Sequence, residues 1–230
     1  MAATTIRISR KRKELISQYA TAAISLYGVI SVNEFVEVFN HYEEAHTTAE
    51  EAFLALTRLA RTDDVEYTVF RGIISGPDFQ PDFDDYEDNV KEIRKAQRGK
   101  PRYLPSKEEF LKYVDLYYRE PEKPYAELKA YILNHELSPR NERIGGVDGD
   151  LLELHAMIQF GVAIKDELDY FPSAGYRCKD INEANGLLNL MMNAHNHTRM
   201  YDNNGFTPEE MVDLLRGPRR KPSPKAPPML

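Results

Sequence analysis

One cysteine in 230 residues, Cys178, leaves no partner for an internal disulfide and no second thiolate for a zinc site. No apolar run approaches the roughly 20 residues needed to cross a bilayer. The basic N-terminus lacks the apolar stretch of a secretory leader. A cytoplasmic protein with no membrane partner is the expectation. Catalytic signatures are also missing: the chain contains no GxSxG, no HExxH and no phosphate-binding glycine loop. Gly145, Gly146 and Gly149 neither match GxGxxG nor follow a strand, so no dinucleotide site is expected. No cofactor, no metal and no catalytic residue is assigned. A hydrolase with dispersed catalytic residues is kept as a third reading, behind two binding readings.

The charge that is present is unevenly laid out. RISRKRK at 7–13 carries five cationic side chains, and RGPRRKPSPK near the other end carries five more. Setting those aside from the net −7 leaves about −17 on the body, which repels nucleic acid over most of its surface. If nucleic acid is a partner, the phosphate contacts are expected from Lys11, Arg12, Lys13 and from Arg219, Arg220, Lys221.

Helix punctuation runs along the chain. Leu15, Ile16, Tyr19, Ala22, Ala23 and Leu26 recur at helical period and stop at Gly28. Ser31-Val-Asn-Glu34 and Thr48-Ala-Glu-Glu51 are capping boxes that open a second and a third helix. The period then changes: VEYTVF and GIIS, around Arg71-Gly72, predict a hairpin between Val65 and Ser75. Three helices followed by a hairpin is the element order of a winged helix, a scaffold that serves DNA binding and protein interaction alike. Glu50 and Glu51 on the third helix weigh against reading DNA.

The acidic, proline-rich PDFQPDFDDYED marks a boundary. Beyond it the pattern is helical. Ser106 caps a segment with Phe110, Tyr113, Val114 and Tyr117 in an aromatic stripe, and Asp148 or Asp150 is expected to cap LLELHAMIQFGVAI. The fold expected is mainly α. It has a winged-helix-like unit over 1–80 with a basic N-terminal arm, an all-α helical domain over 81–217, and a disordered basic, proline-rich tail over 218–230.

The most unusual stretch is NLMMNAHNHTRMYDNNGFTP, at 189–208. Asp180-Ile-Asn-Glu183 opens its helix, and Ala184, Leu187, Met191, Ala194 and Thr198 make an inward side. Asn182, Asn185, Asn189, Asn193 and Asn196 fall on another side, within about 80°. Asparagine is a mediocre helix former, and an ordinary solvated face carries Glu, Lys, Arg or Gln instead. The row therefore needs partners. Buried loop backbone is one possibility, expected for Asn193 and Asn196, with Arg199 and Tyr201 at an exposed edge. The other is an external peptide or an unpaired base, with Asn189, Asn193, Asn196, Arg199 and Tyr201 as the binding residues. His195 and His197 point about 200° apart on a helix and cannot share one metal ion.

N-x-T-R, an aromatic two residues on, then N-G-x-T-P-x-E is carried here by Asn196, Thr198, Arg199, Tyr201, Asn204, Gly205, Thr207, Pro208 and Glu210. With LYGVIS at 26–31 and RYLPSKEEFLKY at 102–113, this resembles bacterial proteins of uncharacterised role that are associated with the SEC-C zinc motif. The tail RGPRRKPSPKAPPML lacks the cysteines of that motif, so zinc is not carried over. The function expected is a non-enzymatic interaction or regulatory protein that binds a protein partner through its helical domain. A nucleic-acid-binding regulator is the alternative.

Overall fold

The computed structural model describes residues 7–62, 65–79, 81, 84–120, 122–137 and 145–216. Among these the chain is mainly helical, with ten α-helices and one small antiparallel sheet. No helix is long and apolar enough to cross a membrane.

The N-terminal unit begins with α1 (Arg10–Tyr27), capped by Ser9, whose hydroxyl accepts from the Arg12 N–H at 3.2 Å. Gly28, at φ 72°, turns the chain into β1 (Val29–Ser31). Ser31 and Glu34 then form the expected capping box of α2 (Val32–Tyr42). Thr48 caps α3 (Ala49–Thr62), accepting from the Glu51 N–H at 3.2 Å. The hairpin of β2 (Thr68–Phe70) and β3 (Ile73–Ser75) lies within the expected range. The sheet order is β1-β3-β2, all antiparallel, with Ile30 opposite Ile74 and Val69 opposite Ile74. A short strand between the first two helices, paired to a C-terminal hairpin, gives winged-helix topology.

The helical part comprises α4 (Tyr86–Gln97), α5 (Lys107–Lys112), α6 (Glu122–Asn134), α7 (Gly146–Gln159), α8 (Ile164–Ser173), α9 (Ile181–His197), a 3-10 turn at Tyr201–Asn203 and α10 (Pro208–Arg216). The aspartates expected to cap α7 do other work. Gly145 stands at the cap position, Asp148 pairs with Lys129 at 2.6 Å, and Asp150 is buried under the hydroxyls of Tyr170 and Tyr176, at 2.9 and 2.6 Å. A buried carboxylate needs such donors, and the two tyrosines supply them.

The cores do not divide where the acidic loop falls. Phe110 and Tyr113, from beyond that loop, join Tyr19, Tyr27, Phe35 and Phe39 in one N-terminal core. The second core gathers Leu128, Ile132, Leu154, Ile158, Phe171, Leu187 and Met191. A third, smaller cluster of Val29, Phe79, Tyr86, Val90, Ile93 and Tyr201 joins β1, α4 and the 3-10 turn.

Candidate interaction surface

The α9 helix owes its start to Asp180, whose carboxylate accepts from the Asn182 and Glu183 N–H groups at 2.8 and 2.9 Å. Leu187, Met191 and Ala194 are buried on its inward side. Gly186 lets α6 approach closely: a Cβ there would fall 2.2 Å from the Tyr131 hydroxyl, which donates to the Glu183 carbonyl at 2.9 Å.

The asparagine row faces the other way. Asn182, Asn185, Asn189 and Asn196 are exposed and Asn193 is half-buried. None of the five side-chain amides hydrogen-bonds to another described residue. The buried polar seam expected for Asn193 and Asn196 is therefore overturned. The inward side of α9 is filled by its apolar residues, and no loop crosses the row among the described residues. Beside the row, Ile181 and Leu188 are 71% and 39% exposed. His195 and His197 diverge to Glu167 at 2.7 Å and Glu209 at 2.9 Å.

Arg199 and Tyr201, expected at an exposed edge, are each only 6% exposed. Past the end of α9 the chain turns inward, and Arg199 becomes the hub of a buried polar cluster. Its Nε donates to Glu120 and to the Tyr113 hydroxyl at 3.0 and 3.1 Å, and its Nη2 reaches the other Glu120 oxygen at 3.2 Å. Its Nη1 donates to Glu210 at 2.9 Å and to the Gly205 carbonyl at 3.1 Å. The guanidinium stacks 3.6 Å from the centre of the Tyr103 ring. Burial alone would lower the Arg199 pKa, but Glu120, Tyr113 and Glu210 outweigh it and hold the group charged. Burial likewise works against ionised Glu120, and Arg199 with Tyr113 reverses that, holding its carboxyl below the usual range.

The turn after Arg199 is fastened on every side. The Asn204 side-chain amide donates to the Gln97 and Lys100 carbonyls, both at 3.1 Å, and the Asn204 backbone carbonyl accepts from the Tyr103 N–H at 3.0 Å. Gln97 in turn donates to the Tyr27 and Tyr201 carbonyls, both at 2.9 Å. A Cβ at Gly28 would lie 2.8 Å from the Tyr201 ring, and one at Gly205 would lie 3.0 Å from Leu26. Thr207 and Glu210 close the expected capping box of α10. The N-x-T-R…N-G-x-T-P-x-E segment, LYG and RYLP are thus parts of one internal clamp. Sequence reasoning found these residues but mistook a buried joint for a binding edge.

Of the cations proposed for phosphate, Arg12 is spent inside the fold. It pairs with Glu51 at 3.1 Å, donates to the Ala45 and His46 carbonyls at 2.8 Å each and stacks on Phe39. Holding the long link between α2 and α3 occupies its whole fork. Lys11 is exposed and Lys13 half-buried, while Arg219, Arg220 and Lys221 lie outside the described residues. On the third helix, Phe53 is 41% exposed and Glu50 is exposed beside it, while at the hairpin Arg71 pairs with Glu87.

Set against known protein families, curated proteins and solved structures, the chain matches none of them.

Proposed function

We propose that this chain is a non-enzymatic interaction protein whose α9 asparagine row receives an extended peptide segment of a protein partner. The observation that carries the reading is the row itself: four exposed amides and a half-buried fifth, with no hydrogen bond to a described residue. Asparagine costs a helix about 0.5 kcal/mol or more relative to alanine, so such a row is not there for the helix. Each amide offers two N–H donors and an oxygen acceptor, which suits peptide backbone better than any one side chain. From Asn182 to Asn196 the row runs about 21 Å, the length of about six residues of extended peptide. Ile181 and Leu188 alongside would shelter apolar side chains of that segment.

The test pans a library of unstructured peptides against the full chain. Recovered peptides are then titrated against wild type and against the variant Asn185→Ala/Asn189→Ala/Asn196→Ala. The expected result is enrichment of peptides whose affinity falls at least tenfold in the variant. Failure to enrich any peptide would overturn the proposal, as would peptides that bind the two proteins equally.

A further inference from the structure

Two cavities share part of their lining, and that shared wall is unusual. The larger, about 510 Å³, lies between the C-terminal end of α1, the segment after β3 and the 113–120 loop. The smaller, about 340 Å³, lies between α6 and α7 and is walled by Tyr125, Ala126, Leu151 and Leu152. Arg119 and His155 line both.

Each shared side chain keeps polar atoms without a hydrogen-bond partner among the described residues. His155 is 5% exposed, and its ring nitrogens have no hydrogen-bond partner among the described residues; its nearest aromatic neighbour is Tyr125, at 5.3 Å between centroids. Arg119 donates through Nη1 to the Leu116 and Tyr118 carbonyls, but its Nε is buried without a partner and it forms no ion pair with a described residue. An unmatched buried polar atom is costly, so the Arg119 Nε, in one wall with an imidazole that has no hydrogen-bond partner among the described residues, points to something that fills the space. Burial and the Arg119 charge push the His155 imidazole down to about 3, so it presents one N–H donor and one bare nitrogen at any physiological pH.

We propose that the junction of the two cavities is a binding site for a small apolar carboxylic acid, its carboxylate held by Arg119 and His155 and its body lying among Leu151, Leu152 and Tyr125. The planar fork of an arginine matches a carboxylate, and its orphaned Nε is one of the two donors such pairing uses. A singly charged head is preferred to a phosphate dianion because Glu66, Asp78, Asp115 and Glu120 line the larger cavity and Glu122 and Asp148 the smaller, against Arg119, Arg199 and Lys129 as the cations. Burial already raises the Asp78 carboxyl above its ordinary range, and a dianion nearby would be disfavoured further. The apolar wall of the smaller cavity accounts for the body of the ligand.

The probe is benzoate, followed through the His155 ring nitrogens by NMR of the labelled full chain. Benzoate is expected to shift the His155 signals saturably. Benzamide, of the same shape without the charge, and inorganic phosphate should leave them in place. Arg119→Gln should weaken benzoate at least tenfold while His155 remains neutral. Should that variant not fold, the wild-type comparison of benzoate with benzamide still decides. An absent benzoate shift, an equal response to benzamide, or a saturable response to phosphate alone would each overturn the assignment.

Discussion

At the scale of single residues, Arg199 shows how a correct signal can carry the wrong meaning. Its spacing from Asn196 places it near the amide row on a helical wheel, but α9 ends at His197 and the chain turns inward. No sequence periodicity survives that turn, so burial of Arg199 was illegible without the fold. Its value is now structural. Removing the cation leaves Glu120 and Glu210 facing one another around an empty site; the guanidinium is buried but both carboxylates are about a third or more exposed, so solvent screening holds the loss to about 1–3 kcal/mol. Arg199→Met is expected to lower the unfolding free energy, read from urea melts, by about that amount, and Arg199→Lys should recover little of it. A lysine cannot reproduce the fork that meets both Glu120 oxygens, Glu210 and the Gly205 carbonyl at once. Near-complete rescue by lysine would show that charge alone, not the fork, matters there.

At the scale of elements, the capping signals were the most reliable reading, because a cap is a local contract between residues three apart. Ser31–Glu34 and Thr207–Glu210 formed as capping boxes, and Thr48 and Asp180 as caps. The strand β1 was not legible: three residues are too few for an alternation, and VIS is a strand only because Ile73–Ser75 pairs with it. The asparagine row was legible as a row, but its exposure was not, since nothing in the spacing says what covers a face. The cap of α2 also has a pH signature. Burial would raise the Glu34 pKa, but hydrogen bonds from Ser31 and Arg94 outweigh it and bring it from 4.5 to about 2. Its folded pKa is thus depressed, so its contribution is fully present above pH 4.5 and is lost as pH falls toward 2. With the side chain about one-third exposed, solvent screening reduces the worth of that shift to about 1–2 kcal/mol. Glu34→Gln should therefore destabilise the protein at pH 7 and flatten the loss of urea midpoint between pH 5 and pH 3. An unchanged acid slope would remove Glu34 from the account.

At the scale of the molecule, the winged-helix-like unit is completed by residues that lie after the acidic loop. Phe110 is fully buried, its ring 5.8 Å from Tyr19 and 4.9 Å from Tyr42, and Tyr201 reaches back from the far end of the chain to cover Gly28. A fragment of residues 1–80 should accordingly melt without a cooperative transition, whereas 1–118 should regain one. A cooperative melt of 1–80 at the full-length temperature would refute this interlocking of the two parts. The same interlock separates two jobs: the Arg199 turn holds the molecule together, and the asparagine face of α9, whose side chains make no hydrogen bond to a described residue, is the face proposed for a partner. That division is the central claim, and the urea midpoint of Asn185→Ala/Asn189→Ala/Asn196→Ala tests it most directly. Alanine is the better helix former and no hydrogen bond to a described residue is lost, so the three changes together should raise stability by about 1 kcal/mol. A fall of about 1 kcal/mol or more would mean that the amides hold the fold after all, and would contradict the claim.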